Sequence, residues 1–270
     1  MASPRFRACA YLLLLAASTA LAAEPASSVF LEDLTSPELA ARIRAGVTTV
    51  LIPIGGTEQN GPHMALGKHN VRVRALSERI ARTLGNAVVA PVIAYVPEGS
   101  VNPPTGHMRY PGTITVPADA YRKILASAAQ SMKLAGFRDI VFLGDSGDYQ
   151  KDDEAVAQEL DREWKSTPVR AHAITEYYRA ATVEFSDALK RQGFTAAEIG
   201  PHAGVADTSL MLAVNPSLVH TDRMTPPAGQ TTLPGVTGDP RRASAALGNA
   251  AIDNIVDKTV AAIRAASASR

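Results

Sequence analysis

Short apolar runs alternate along the chain with longer segments in which apolar residues recur at helical spacing. The clearest apolar runs are residues 47–54, 87–95, which Pro91 interrupts, and 139–143, and a more mixed run covers 169–174. Apolar runs of this length that end at glycine or proline are typical of strands buried on both faces of a parallel sheet. The pattern therefore predicts four strands.

The segments between these runs predict helices. Ser36, Pro37 and Glu38 form a helix-start signal of cap, first-turn proline and first-turn acid. Helical spacing predicts helices at residues 36–44, 70–84, 118–135, 151–164, 177–192, 209–214 and 244–266. Strands that alternate with helices in this way predict an α/β fold with a mostly parallel sheet covered on both faces. No internal repeat or low-complexity linker divides residues 23–270, so we expect a single domain there.

The first 22 residues have the features of a secretory signal peptide. Arg5 and Arg7 precede an apolar run at residues 8–17, and small residues at 20–23 supply a cleavage site. The run is too short to span a bilayer. Cleavage after residue 22 would remove Cys9, the single cysteine, which suits an oxidising compartment. We therefore expect a secreted or periplasmic protein.

Composition excludes several classes of partner. The chain has 270 residues, with 27 Lys and Arg against 26 Asp and Glu, and only 5% aromatic residues. Nucleic-acid binders carry a basic excess or an aromatic stacking platform, so we expect no nucleic-acid partner. No other stretch is long and apolar enough to cross a bilayer, so no membrane contact is expected after signal cleavage.

Candidate chemistry is concentrated where two predicted strands end. Parallel sheets bind ligands at the carboxyl ends of their strands. The loop at residues 55–70 contains Glu58 and His69, and the loop at 144–150 begins with Gly144 and Asp145. Carboxylates and imidazoles are ligands for Zn²⁺, Mn²⁺ and similar ions. The alternative is that the carboxylates cap helices or brace loops through backbone N–H groups.

A second possibility at the same strand end is a nucleophilic serine. Ser146 lies in Gly-Asp-Ser-Gly, which is close to the G-x-S-x-G pattern of a nucleophile elbow, but Asp148 stands at the final glycine position. The broken pattern keeps a serine hydrolase open as a minor alternative.

Five stretches in order along the chain resemble the creatininase (creatinine amidohydrolase) family. They are PIGGTEQNGPH at 53–63, HMRYPGT at 107–113, GFRDIVFLG at 136–144, HAGVADTSLML at 202–212 and GVTGDP at 235–240. The resemblance implies an α/β/α sandwich, a homo-oligomer, and hydrolysis of cyclic or formyl amides at a divalent-metal centre. It also implies that a Glu, a His and an Asp of the first motif and a His of the second bind metal.

Several ligand positions depart from the family pattern. Glu58 matches the family Glu, and His202 matches the His of the third motif. The substituted positions are Asn60 for a His, His69 for the Asp, Asp145 for the second-motif His, and Val205 and Asp207 for two Glu. Asp and His have thus exchanged places between positions 69 and 145.

This exchange keeps ligand chemistry, and we therefore predict that Glu58, His69 and Asp145 hold one divalent ion, Zn²⁺, Mn²⁺ or Fe²⁺. His202 would give a proton to the departing nitrogen of a small cyclic or formylated amide. The alternative is that the chain kept the fold and lost the chemistry, and serves as a small-molecule binding protein or an assembly subunit.

Overall fold

The structure, a computed structural model, describes residues 28–268. The predicted signal peptide, residues 1–22, lies outside the described residues. Within the described part of the chain, no helix is long and apolar enough to cross a membrane.

Four parallel strands form one sheet. The strands are β1 (Thr49–Ile54), β2 (Ala87–Val89), β3 (Asp139–Gly144) and β4 (Arg170–Ala173), in the spatial order β2-β1-β3-β4. Val50 of β1 lies opposite Val88 on one side and Ile140 on the other, so β1 is an inner strand. The strands thus end at one common edge, which the following loops cover.

Helices make up most of the remainder. They are α1 (Ser36–Arg44), α2 (Lys68–Leu84), α3 (Ala118–Ala135), α4 (Gln150–Glu163), α5 (Thr175–Arg179), α6 (Phe185–Arg191), α7 (Ala196–Ile199), α8 (Val205–Val214) and α9 (Ala245–Ala268). A π-helical turn, Ala180–Glu184, joins α5 to α6. Short 3-10 turns cover Leu31–Asp33, Gly106–Arg109, Pro216–Leu218 and Thr221–Arg223.

The sheet separates two hydrophobic cores. Leu51 and Val141 point into a core shared with α2, α5, α6, α8 and α9, whereas Val50, Ile52 and Ile140 point into a core shared with α3 and α4. Alternate side chains of a strand face opposite sides, and both sides are buried here. The predicted α/β/α sandwich with a parallel sheet is confirmed.

The elements that differ from the sequence-based expectation include β2 and α8. The second strand ends at Val89, because Pro91 cannot donate a ladder hydrogen bond, and only an isolated bridge between Ile54 and Ile93 continues the pairing. The eighth helix begins at Val205, four residues before the predicted start. This earlier start places Asp207 in the first turn of a helix next to the sheet edge.

Asp153 is a buried acid in the core between α3 and α4. The Tyr121 hydroxyl donates a hydrogen bond to its Oδ1, and its Oδ2 has no hydrogen-bond partner among the described residues. Burial raises the pKa of the Asp153 carboxyl to about 8. The folded protein therefore keeps this carboxyl protonated at neutral pH.

We predict that Asp153 makes the protein less stable as the pH rises from about 4 to about 8. In this range an unfolded Asp, with a pKa of about 3.9, has lost the proton that the folded protein still binds, so the free energy of unfolding falls. Asp153→Asn removes this titration, and its melting temperature should decline less between about pH 5 and about pH 7.5. Thermal unfolding across this range measures the effect, with exposed Asp119→Asn as the control. Parallel profiles for wild type and Asp153→Asn would contradict the prediction.

Candidate active site

The sheet edge brings together the three predicted metal ligands. Glu58 lies in the loop after β1, Asp145 directly follows β3, and His69 lies in the first turn of α2. His69 Nδ1 is 2.6 Å from Asp145 Oδ2, and His69 Nε2 is 2.9 Å from Glu58 Oε1. All three side chains are buried. They form a hydrogen-bonded chain of carboxylate, imidazole and carboxylate.

The His69 ring is held as a cation between these two carboxylates. Burial and the Lys68 charge oppose its protonation, but Glu58 and Asp145 outweigh them and raise the pKa of His69. An imidazole that donates from both nitrogens has no lone pair left for a metal. In this arrangement His69 therefore acts as an ion-pair partner, and the joint metal-ligand role of Glu58, His69 and Asp145 stays a prediction.

Two cations of α2 complete the ion pairs. Arg72 contacts Asp145 through Nη2 at 2.9 Å and Asp207 through Nη1 at 2.8 Å. Lys68 Nζ lies 3.0 Å from Asp207 and 3.4 Å from Glu58. Burial raises the pKa of Asp145, but the Arg72 charge and the hydrogen bond from His69 lower it by more.

This ion-pair network balances its own charge. The cations Lys68, His69 and Arg72 face the anions Glu58, Asp145 and Asp207. Sequence reasoning missed Lys68 and Arg72, although their i, i+4 spacing places both on one face of α2 next to His69. Lys68 is 1% exposed and Arg72 is 3% exposed. This burial distinguishes them from surface cations, and the sequence did not reveal it.

A second cluster surrounds the other side of Glu58. Glu58 Oε2 is 3.2 Å from His107 Nε2, and Glu58 Oε1 is 3.7 Å from His202 Nδ1. The two imidazole rings are 4.3 Å apart between centroids. One ligand atom from each residue lies within 4.8 Å of the others. Among the described residues, these three side chains form the one group that could hold a metal ion in this way.

Gln59 determines which ring nitrogens carry hydrogen. Its Oε1 accepts from Gly61 N and its Nε2 donates to Gly235 O, which fixes the orientation of the amide. Gln59 Nε2 therefore donates to His107 Nδ1 at 2.9 Å, and a neutral His107 carries its hydrogen on Nε2, facing Glu58.

His202 presents the opposite nitrogen to Glu58. Its Nε2 donates to the Gln59 carbonyl at 3.0 Å, so Nδ1 keeps its lone pair. Burial and the Lys68 charge lower the pKa of His202 to about 4, which keeps the ring neutral at physiological pH. His202 Nδ1 is thus a ready ligand atom beside Glu58.

Glu98 is a further carboxyl at this site. It is 1% exposed, and neither of its oxygens has a hydrogen-bond donor among the described residues. Burial and the charge of Glu58 raise the pKa of Glu98 to about 9. Sequence reasoning missed it because nothing in the surrounding Pro- and Gly-rich segment marks this acid as buried.

Sequence comparison assigns the chain to a family. The sequence model of the creatininase family, described as creatinine amidohydrolase, matches residues 32–263. The chain belongs to the creatininase family.

Known relatives agree with this assignment. The chain is 26% identical over 260 residues to a creatinine amidohydrolase of Pseudomonas putida, covering 88% of this chain and 96% of that protein. It is 27% identical over 241 residues to a mycofactocin precursor peptide peptidase of Mycobacterium ulcerans (strain Agy99), covering 80% and 84%. A solved structure described as "Creatininase Mn" superposes with a TM-score of 0.70 at 26% identity, covering 88% of this chain and 98% of the other.

Members of the creatininase family are metal-dependent hydrolases, and both homologues and solved structures support a hydrolase here. Related creatininase structures carry Mn or Zn, one of them described as "Zn-Zn type". The donor set of Glu58, His107 and His202 fits such an ion, because two imidazoles and a carboxylate suit Zn²⁺, Mn²⁺ and Fe²⁺ alike. The unpartnered Glu98 carboxyl adds to that fit.

Other creatininase-motif positions have structural roles here. Asn60, at the position of a family His ligand, donates from Nδ2 to the carbonyls of Glu58 and Ala65 and so braces its own loop. His63 Nε2 donates to the Thr208 hydroxyl at 3.0 Å, and burial lowers the pKa of His63 to about 4.

No described histidine hydrogen bonds to the Ser146 hydroxyl, so the structure gives the serine-hydrolase alternative no base.

We predict that Arg72→Met destabilises the protein by about 3 to 5 kcal/mol. The substitution leaves the Asp145 carboxylate buried without its main counter-charge. Urea unfolding measures the change in the free energy of unfolding. Arg79→Met on the same helix is the matched control, because Arg79 pairs with Asp253 on the surface and its loss should cost less than about 1 kcal/mol. Equal effects of the two substitutions would show that the buried network does not contribute more than a surface ion pair.

Proposed function

We propose that this chain is a single-metal amidohydrolase that acts on a non-peptide C–N bond of a small cyclic or formylated amide. The observation that carries the proposal is the cluster of Glu58, His107 and His202 at the carboxyl edge of the sheet. The similarity of the chain to a creatinine amidohydrolase supports the amide substrate. Another relative is a precursor peptide peptidase, so a test panel of amides includes short peptides.

Glu58, His107 and His202 would hold the ion. Bound there, a divalent metal supplies a lower pKa for a water molecule and polarises an amide carbonyl. Lys68 and His69 fix the Glu58 carboxylate by direct ion pairs, and the Gln59 carbonyl holds His202 through Nε2. To bind the ion through Nε2, a neutral His107 must carry its hydrogen on Nδ1, and Gln59 Nε2 must then stop donating to Nδ1.

His202 has two alternative roles. The sequence-based role is proton transfer to the departing nitrogen, whereas its position beside Glu58 supports a role as metal ligand. One nitrogen cannot bind a metal and carry a proton at the same time. With Nε2 bound to the Gln59 carbonyl, only Nδ1 faces the site, so we favour the ligand role.

The ion-pair network favours a second candidate function. Its three cations and three anions neutralise one another without a metal. A chain with that arrangement could keep the fold as a small-molecule binding protein or an assembly subunit without hydrolysing an amide. This candidate predicts no hydrolysis from any amide in the panel and no effect of Glu58→Gln on assembly.

We predict that purified protein binds about one Mn²⁺ or Zn²⁺ ion per chain and that His107→Ala abolishes this binding. Asp145→Asn should retain the ion, because Asp145 pairs with Arg72 and His69 rather than with the cluster. Metal analysis after dialysis measures the stoichiometry, and circular dichroism confirms that each variant is folded. Exposed His220→Ala is the matched control for the loss of a histidine.

The two variants separate the two ligand sets. Loss of the ion in Asp145→Asn with retention in His107→Ala would instead support the set of Glu58, His69 and Asp145. A wild-type protein that binds no divalent ion would support the non-catalytic candidate. Hydrolysis of an amide by wild type, and its loss by at least about 100-fold in Glu58→Gln, would complete the case for an enzyme.

We also propose that the protein is exported and assembles as a homo-oligomer. The basic start, the short apolar run and the small residues at 20–23 support export. In a Gram-negative host the mature protein should be recovered from the periplasmic fraction, and N-terminal sequencing should begin at Ala23. A cytoplasmic protein that retains Met1 or Ala2 would contradict export, and a monomer in size-exclusion chromatography with light scattering would contradict assembly.

A further inference from the structure

Glu98 lies in a segment that the backbone holds firmly against the sheet edge. Its N–H donates to the Thr115 hydroxyl at 2.9 Å, and Val116 N donates to the Val96 carbonyl on the other side of the segment. Val96 is fully buried in the core between the sheet and α3. These contacts hold the Glu98 backbone in place, and the Glu98 side chain is 1% exposed.

Gly56 makes room for the Glu98 carboxyl. A Cβ at Gly56 would lie 2.6 Å from Glu98 Oε1, closer than a side chain tolerates. Gly56 also has a φ of +146°, which disfavours any other residue. The carboxyl thus packs directly on the backbone of the loop that carries Glu58, and it senses the Glu58 charge.

The described protein gives this carboxyl no hydrogen-bond donor, and its side-chain hydrogen bond is to another acid, Glu58. Both oxygens are buried, and neither has a donor within hydrogen-bonding distance. Buried polar groups without a partner are rare in folded proteins, and a bound ion is one arrangement that satisfies them. The nearby cation Lys68 is already engaged by Glu58 and Asp207.

We propose that Glu98 is a further metal ligand, which completes a site of two carboxylates and two imidazoles with Glu58, His107 and His202. This inference rests on the proposed function, since it concerns the same ion. A second carboxylate makes the donor set harder. When the ion binds, Glu98 releases its proton to solvent and then supplies the additional negative charge that the self-neutralised ion-pair network lacks for a divalent cation. The ion it favours is therefore one that accepts oxygen as well as nitrogen ligands, such as Mn²⁺ or Zn²⁺.

The test is isothermal titration of Mn²⁺ and Zn²⁺ into the full chain, wild type and Glu98→Gln. Glutamine keeps the size of the side chain and removes its charge. We expect Glu98→Gln to weaken binding by at least about tenfold while the metal-free melting temperature is unchanged or higher. Glu159→Gln, an exposed position on α4, is the matched control and should bind like wild type.

Each outcome has a definite meaning. Wild-type binding that Glu58→Gln abolishes and Glu98→Gln leaves unchanged overturns the role of Glu98 and leaves the proposed function standing. Absence of binding in the wild type overturns both. If Glu98→Gln does not fold, Glu98→Asp replaces it: a shorter carboxylate should weaken binding in a folded protein, and an unchanged affinity would overturn the proposal.

Discussion

The need to neutralise the buried Glu58 carboxylate is the constraint on which the rest of this site depends. A carboxylate at 2% exposure is tolerated only when it is paired and hydrogen-bonded. Lys68 and His69, from the first turn of α2, meet that need on one side, and His107 meets it on the other. Glu58 is therefore the one residue that the ion-pair network and the histidine cluster share.

The two groups around Glu58 have different physical characters. The ion-pair network is closed, because each charged group in it faces an opposite charge within the protein. The histidine cluster is open, because His202 keeps a lone pair on Nδ1 and no described group donates a hydrogen bond to Glu98. A metal or a substrate gains most where donor atoms are unsatisfied. The chemistry of this creatininase-family chain is thus expected on the open side of Glu58, while the closed side holds the carboxylate in place.

Most of the fold could be predicted, because the signals that specify it are local. The apolar run at β1 predicted a strand, and the helical spacing of apolar residues at α3 and α9 predicted helices. The alternation of strands and helices along the chain indicated a parallel sheet. The pattern overextended β2, since the effect of Pro91 on pairing depends on its neighbouring strand. The π-helical turn between α5 and α6 had no signal in the sequence that we recognised.

By itself, the sequence determined the α/β/α architecture and the two strand ends, and it brought Glu58, His69, Asp145 and His202 into consideration. Only the tertiary structure decided how they pair. Arg72 forms an ion pair with Asp145, and His69 lies between two carboxylates. His107 and Glu98, from a loop distant in sequence, lie next to Glu58. Secondary structure follows from neighbours along the chain, whereas the charge and free lone pairs of a side chain depend on which remote groups packing brings within about 3 Å.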